Sequence, residues 1–139
     1  VVTDHDDIEA IKQLKARYFR FLDTKEWESL QHLFVDGAIV DMRAEGGGET
    51  RTAEEFIESL KSNLDGVTTV HHGHTPEIAL TSPTTATGIW AMEDELWWPE
   101  DAPLRHMHGF GHYHETYRSV DGGWRIAGMT LTRLHRHLE

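Results

Sequence analysis

The stretch 104-LRHMHGFGHYHETY-117 sets histidines at 106, 108, 112 and 114 and Phe110 between them, all on positions of one parity. Successive side chains of a strand point to opposite faces. A period of two therefore puts these five rings on one side of a sheet, and Met107, Gly109, Gly111, Tyr113, Glu115 and Tyr117 on the other. Glycines inside a strand mark a bend or a close approach to the backbone, which assigns the odd face to the concave side of a curled sheet and the histidine face to its convex side. On this reading Gly109, Gly111 and Tyr113 are expected in a pocket wall, with Trp90 and Met129 from the neighbouring strands.

Period-two runs continue on both sides: 67–80, interrupted at Pro76, 84–98, 105–120 and 124–135 read as four long strands. Their connections 81-TSPT-84, 99-PEDAP-103 and 121-DGG-123 are short and rich in turn residues, which predicts antiparallel neighbours. Upstream the period changes. Ile8, Ile11, Leu14, Tyr18, Phe21 and Leu22 recur at steps of three and four behind Asp4, Asp6, Asp7 and Glu9, which predicts a helix over 4–22 with acids at the positive end of its dipole. Thr24 is placed to cap a second, short helix carrying Trp27, Leu30 and Leu33, and a brief strand is expected from Ala38 to Arg43. The loop 45-EGGGE-49 is too flexible for an element interior. Thr52 and Glu55 then make a T-x-x-E capping box for a third helix with Phe56, Leu60 and Leu64, ending at Asp65-Gly66. Helices first and a meander afterwards is an α+β plan, one domain over 1–139, with the helices packed on one face of a curled sheet.

Of the 139 residues 38% are apolar, enough for one core. Lys plus Arg number 13 against 24 Asp plus Glu, a net charge of −11 without any basic cluster, so nucleic acid and anionic membranes are poor partners. No apolar run approaches the ~20 residues of a membrane span and the first residues lack a signal-peptide pattern, so a cytoplasmic location is the default expectation. The absence of cysteine removes disulfides, thiolate nucleophiles and thiolate metal sites. The 11 histidines equal the net negative charge, so charge-dependent behaviour is expected between about pH 7 and 5.

Asp23 follows the apolar run 18-YFRFL-22. Its carboxylate faces either the space between helices and sheet, as a general base in a dry pocket, or the helix junction, as a cap. Tyr18 is about 140° away round a regular helix, so the two converge only where the helix end distorts or the pocket wraps around it. In 70-VHHGHTPE-77, His71 and His72 point to opposite faces and His74 shares the parity of His72; the inward ring is a candidate acid, base or ligand, or is simply hydrogen-bonded. Arg133, in 129-MTLTRLHRH-137, orients an anionic or carbonyl group on a substrate, or else forms an exposed salt bridge. Glu93, Asp94 and Glu95 read as a solvated edge. The H-x-H pairs at 106/108 and 112/114, with 71-HHGH-74, raise a metal reading with Zn²⁺, Fe²⁺ or Ni²⁺. Same-face histidines from 106 to 114 extend ~27 Å along a strand, too long for one site. A metal needs one adjacent pair plus a cross-strand partner, and no resident ion is expected.

In this order the motifs resemble the SnoaL-like branch of the nuclear-transport-factor-2-like superfamily: 18-YFRFLDTKEW-27 at the end of the first helix, a capped third helix, a histidine strand, and the closing 121-DGGWRIAGMTLTRL-134. The resemblance covers nearly the whole chain. It implies a cone, a strongly curved antiparallel sheet folded around helices with a deep apolar pocket, commonly dimerising through the outer sheet face. Members include scytalone dehydratase, bile-acid 7α-dehydratase, ketosteroid isomerase, polyketide cyclases and limonene epoxide hydrolase beside many non-catalytic proteins, so fold leaves activity open. In the dehydratases a tyrosine, an aspartate five residues on, a histidine at the start of the next long strand and an arginine on the last strand serve the pocket. By motif position these are Tyr18, Asp23, His71 and Arg133. The region 90-WAMEDELWW-98 lacks the second pocket histidine of scytalone dehydratase, and Gly111 and Tyr113 stand near the positions of its serine and asparagine, which argues against scytalone as substrate. The resemblance thus implies a cofactor-independent dehydratase or isomerase acting on a small hydrophobic, ring-bearing molecule of steroid or polyketide type. The alternatives are a non-catalytic ligand- or partner-binding module and a metal-dependent enzyme built on the histidine strand.

Overall fold

In the structure, a computed structural model that describes residues 3–46 and 50–139, helix α1 spans Asp4–Asp23. Thr3 accepts the Asp6 amide and the Asp6 carboxylate accepts the Thr3 amide in return, which satisfies donors left free at the helix start. Ile11, Leu14, Lys15, Tyr18 and Leu22 form the buried stripe of α1. Thr24 closes this helix and does not cap the next, contrary to expectation: its amide and hydroxyl both turn back to the Arg20 carbonyl. Lys25, at φ +59°, leaves the helical path there, and α2 (Trp27–Gln31) starts from Glu26 without a side-chain cap.

Strand β1 (Phe34–Asp41) begins ahead of the expected Ala38, because Gly37 at φ +76° lies within a register shift between Phe34 and Ile39 that carries the strand through Asp36-Gly37. It stops before Arg43, which enters a single 3-10 turn (Arg43–Glu45) and clasps Asp41. Glu45 belongs to that turn; Gly47, Gly48 and Glu49 of the expected loop lie outside the described residues. The two-residue β2 (Arg51–Thr52) leads into α3 (Ala53–Asn63), where the Thr52–Glu55 capping box forms as its spacing predicts.

The rest is the antiparallel meander β3 (Thr68–Ser82), β4 (Thr85–Trp97), β5 (His106–Val120) and β6 (Gly123–Leu138). The sheet order β2-β1-β6-β5-β4-β3 puts β3 at an edge, and Pro76 falls in the register shift between His74 and Glu77, where Thr75 stands at φ +39°, so the missing amide breaks the β4 ladder only at that bulge. The all-antiparallel expectation fails at one seam: β1 runs parallel to β6, with Ile39 opposite Gly128 and Asp41 opposite Thr130. β5 occupies one edge of β6, and β1 takes the other after a connection through α3 and the first three meander strands. The six-stranded mixed sheet curves around the helices without closing. Among the described residues no helix is long and apolar enough to cross a membrane.

Burial on β5 alternates as parity requires: Met107, Gly109, Gly111, Tyr113, Glu115 and Tyr117 are buried, and the histidines and Phe110 are not. Beneath α1 the rings of Phe34 and Tyr113 meet Tyr18 edge to face. Lys15 joins them, its ammonium 3.8 and 3.7 Å from the Tyr18 and Tyr113 ring centres and 2.5 Å from Glu115 Oε2. Tyr117 donates to the other Glu115 oxygen at 2.6 Å and accepts from Trp90 Nε1 at 3.0 Å. Burial drives the Lys15 ammonium below its ordinary pKa, against the opposing pull of Glu115. The space under α1, expected as apolar pocket, is filled here by the protein's own rings and one enclosed ion pair.

On the convex face Glu93 meets His108 Nε2 at 2.9 Å and His74 Nε2 at 3.0 Å, and these two bonds hold its carboxyl below the usual range. Glu95 faces His106 and His108 on the same side. The three acids of β4 are therefore no solvated edge. The strand lies inside the sheet, two of its acids pair with the histidine stripe, and Asp94 between them points inward and is buried.

Candidate active site

α1 ends against the first residues of β3, and that contact puts Asp23 beside Thr69 and His71. The Thr69 hydroxyl donates to Asp23 Oδ1 at 2.9 Å, and the His71 amide donates to Oδ2 at 2.9 Å. His71 Nδ1 lies 2.7 Å from Oδ1. An ionised carboxylate only accepts, so Nδ1 carries the proton and a neutral His71 keeps its lone pair on Nε2. The imidazole is 10% exposed, held between helix end and strand. Asp23 is thus a partner of the strand, not of the helix junction.

His71 stands opposite Asp94, Asp94 opposite Gly109, and Gly109 opposite Arg136, one row across four strands. Asp94 Oδ2 is 3.9 Å from His71 Nε2. Arg133 reaches over Gly109 and grips Asp94 with two parallel bonds of 2.7 and 2.8 Å. Its Nε donates to Glu45 Oε2 at 3.1 Å, its Nη2 to Glu45 Oε1, and Arg136 adds a second cation to Glu45 at 3.2 Å. Burial disfavours the guanidinium charge, but the bonds to Asp94 and Glu45 outweigh it and leave the pKa above the ordinary arginine value. Arg133 is therefore neither a surface ion pair nor an empty-handed anchor: both faces of its fork are occupied by the protein.

A Cβ at position 109 would lie 2.7 Å from Asp94 Oδ1 and closer still to Arg133, so this glycine makes room for an ion pair and not, as expected, for a ligand. Gly111 is crowded by the Thr132 carbonyl at the register shift beside it. Gly109→Ala is expected to push the guanidinium off Asp94 and to cost about 1–3 kcal/mol of stability. Urea unfolding reads this, and an unchanged midpoint refutes the crowding.

Tyr18 is buried, its ring edge to face with that of Tyr113 at 6.0 Å between centres. Burial first, and the charge of Glu115 second, raise its pKa well above the ordinary phenol value. Tyr18 therefore remains a proton donor. Trp90, Tyr113 and Met129, expected in the pocket wall, point inward but are packed into the core. Thr69, Asp94 and Glu45 complete the site and were not singled out by the sequence reading. Asp94 had a signal: Trp90, Met92 and Asp94 share one parity, and the first two are apolar.

Among the described residues no three His, Asp or Glu side chains are arranged to hold a metal ion. On the histidine strand His106 and His108 meet Glu93, Glu95 and Glu139, and His114 meets the Thr132 hydroxyl.

The SnoaL-like domain profile matches residues 3–130. Among curated proteins, "Probable cyclase FGR4" of Gibberella zeae is 22% identical over 135 residues, covering 90% of this chain and 89% of that one. Among solved structures, the Kfla4162 protein of Kribbella flavida superposes with a TM-score of 0.88 at 21% identity, over 97% of this chain and 95% of that one. The hexachlorocyclohexane dehydrochlorinase LinA-type3 of Novosphingobium barchaimii does so with a TM-score of 0.78 at 17% identity, over 96% and 90%. At such identities the superpositions establish a shared fold, the α+β architecture of helices in a curved sheet. The profile match spans nearly the whole sequence, and by it the chain belongs to the SnoaL-like domain family.

Proposed function

We propose that the protein is a cofactor-independent lyase or isomerase that moves protons on a small hydrophobic, ring-bearing molecule of steroid or polyketide type. The observation that carries this reading is the dyad: Asp23 fixes the His71 tautomer and ring, so that Nε2 is a positioned base. In a dehydration, His71 Nε2 takes the proton beside a substrate carbonyl, and the electron pair of the broken C–H bond moves to an enolate. Tyr18, enclosed beneath α1 in the free protein, donates a hydrogen bond to the enolate oxygen once the substrate ring displaces the packing beside it. As the electrons return, the C–O bond at the next carbon breaks and the leaving hydroxyl takes the proton back from His71 to depart as water. Asp94, 3.9 Å from Nε2, stabilises the imidazolium formed in between, and Arg133 positions Asp94.

A cyclase and a dehydrochlorinase among the similar proteins support chemistry of this kind, since loss of HCl is likewise removal of a proton and a leaving group. The same reading carries a homodimer through the convex face, where Trp97 and Phe110 are each 38% exposed.

The test uses untagged protein dialysed against a chelator and offered a panel of β-hydroxy ketones of steroid and polyketide type, with the conjugated enone followed by its absorbance. Turnover is expected to survive chelation. Activity lost on chelation and restored by Zn²⁺ or Fe²⁺ would instead favour the metal-dependent reading, and binding of panel members without turnover the non-catalytic one.

A further inference from the structure

On the flank of the molecule α1 lies beside the edge strand β3, and an open groove of about 460 Å³ runs between them. Lys12, Ala16 and Phe19 line it from the helix, at steps of four and three, and residues 71–74 line it from the strand. Trp90 forms its floor. A Cβ at Gly73 would come within 2.7 Å of Phe19 and 3.0 Å of Trp90, so the missing side chain is what lets both rings lie against the strand.

One end of the groove is therefore aromatic, and the other is cationic. Lys12 is exposed and takes part in none of the ion pairs among the described residues. Of the histidines on the facing strand, His71 is held by Asp23, while His72 and His74 turn their rings to the convex face, where His74 meets Glu93. No carboxylate lines the groove, so in a chain of net charge −11 the Lys12 ammonium sets the local sign there and favours an anion. The backbone adds a donor. The His71 amide points away from β4, toward Asp23, and alternate amides of a strand share a side, so the Gly73 amide also faces the unpaired edge.

We propose that this groove binds an amphipathic organic anion, its flat ring body over Phe19 and Trp90 and its acid group at Lys12. The inference makes no use of turnover, so it stands or falls separately from the role of Asp23 and His71.

The experiment titrates the full chain with two fluorescent probes that share a ring system: 8-anilinonaphthalene-1-sulfonate, an anion, and N-phenyl-1-naphthylamine, which is neutral. Lys12→Glu is expected to weaken the sulfonate about five-fold, the scale of an exposed ion pair, and to leave the neutral probe within about two-fold. Ala16→Trp fills the groove and is expected to weaken both. Both substitutions alter exposed side chains of α1, and circular dichroism checks that the fold is kept. Equal effects of Lys12→Glu on the two probes, or undiminished sulfonate binding in Ala16→Trp, would overturn the proposal.

Discussion

The Asp23→Asn variant is expected to lose about three to four orders of magnitude in kcat while remaining folded, as when the carboxylate behind a catalytic histidine is replaced. The carboxylate accepts three bonds at once, from the Thr69 hydroxyl, the His71 amide and His71 Nδ1–H. An asparagine has one accepting oxygen. If that oxygen keeps the backbone amide, its NH₂ faces the ring, and Nδ1 must accept. The imidazole then carries its proton on Nε2, where the base should be, and the dyad holds the wrong tautomer. Folding loses little, about 1 kcal/mol for the weakened hydrogen bonding, because the amide is the same size and still bridges helix to strand. Steady-state kinetics with thermal unfolding on the same samples separates the two effects. Turnover within ten-fold of the parent would remove His71 and Asp23 from the mechanism.

For stability the largest single effect is expected at Lys15→Met, about 3–5 kcal/mol. Lys15 and Glu115 are both fully enclosed, at 0% side-chain exposure, and methionine leaves Glu115 without its countercharge. The Tyr117 hydroxyl still donates to it, but one neutral bond does not replace an ammonium. The double variant Lys15→Met/Glu115→Leu removes both charges at similar volume and should recover most of the loss, since enclosed ion pairs often add nothing over apolar packing. Denaturant unfolding of the parent, the single and the double closes the argument. A double variant no more stable than Lys15→Met would show that the pair is not what holds this part of the core together.

The even and odd faces of β5 were legible in its residues, because alternation needs no partner to be read. The same holds for the Thr52 box and for the helical stripe of α1. Placement across strands was not. Asp94 sits between two acids that do face outward, and its inward role depends on being opposite His71 and Gly109, a register that the turns at the two ends of β4 decide together. Glu45 joins the site from a turn whose sequence looks only flexible. Lys15 is a different case: it falls on the apolar stripe between Ile11 and Tyr18, and Glu115 falls on the apolar face of β5. Two misfit charges of opposite sign on two buried faces are a readable sign of an internal pair, although nothing in either segment says that the two faces meet.

The parallel seam between β1 and β6 has a further consequence, for the order of folding. The meander can form from neighbouring hairpins, but Ile39 finds Gly128 only across most of the chain. During synthesis the helices and β1 must wait for β6 before their side of the sheet can close. β6 brings Arg133 to Asp94 through its pairing with β5, and β1 leads to the turn that brings Glu45 to Arg133, so the charged row beside His71 is complete only when both edges of β6 are paired. A sheet joined in this way closes late, with distant contacts setting its pace.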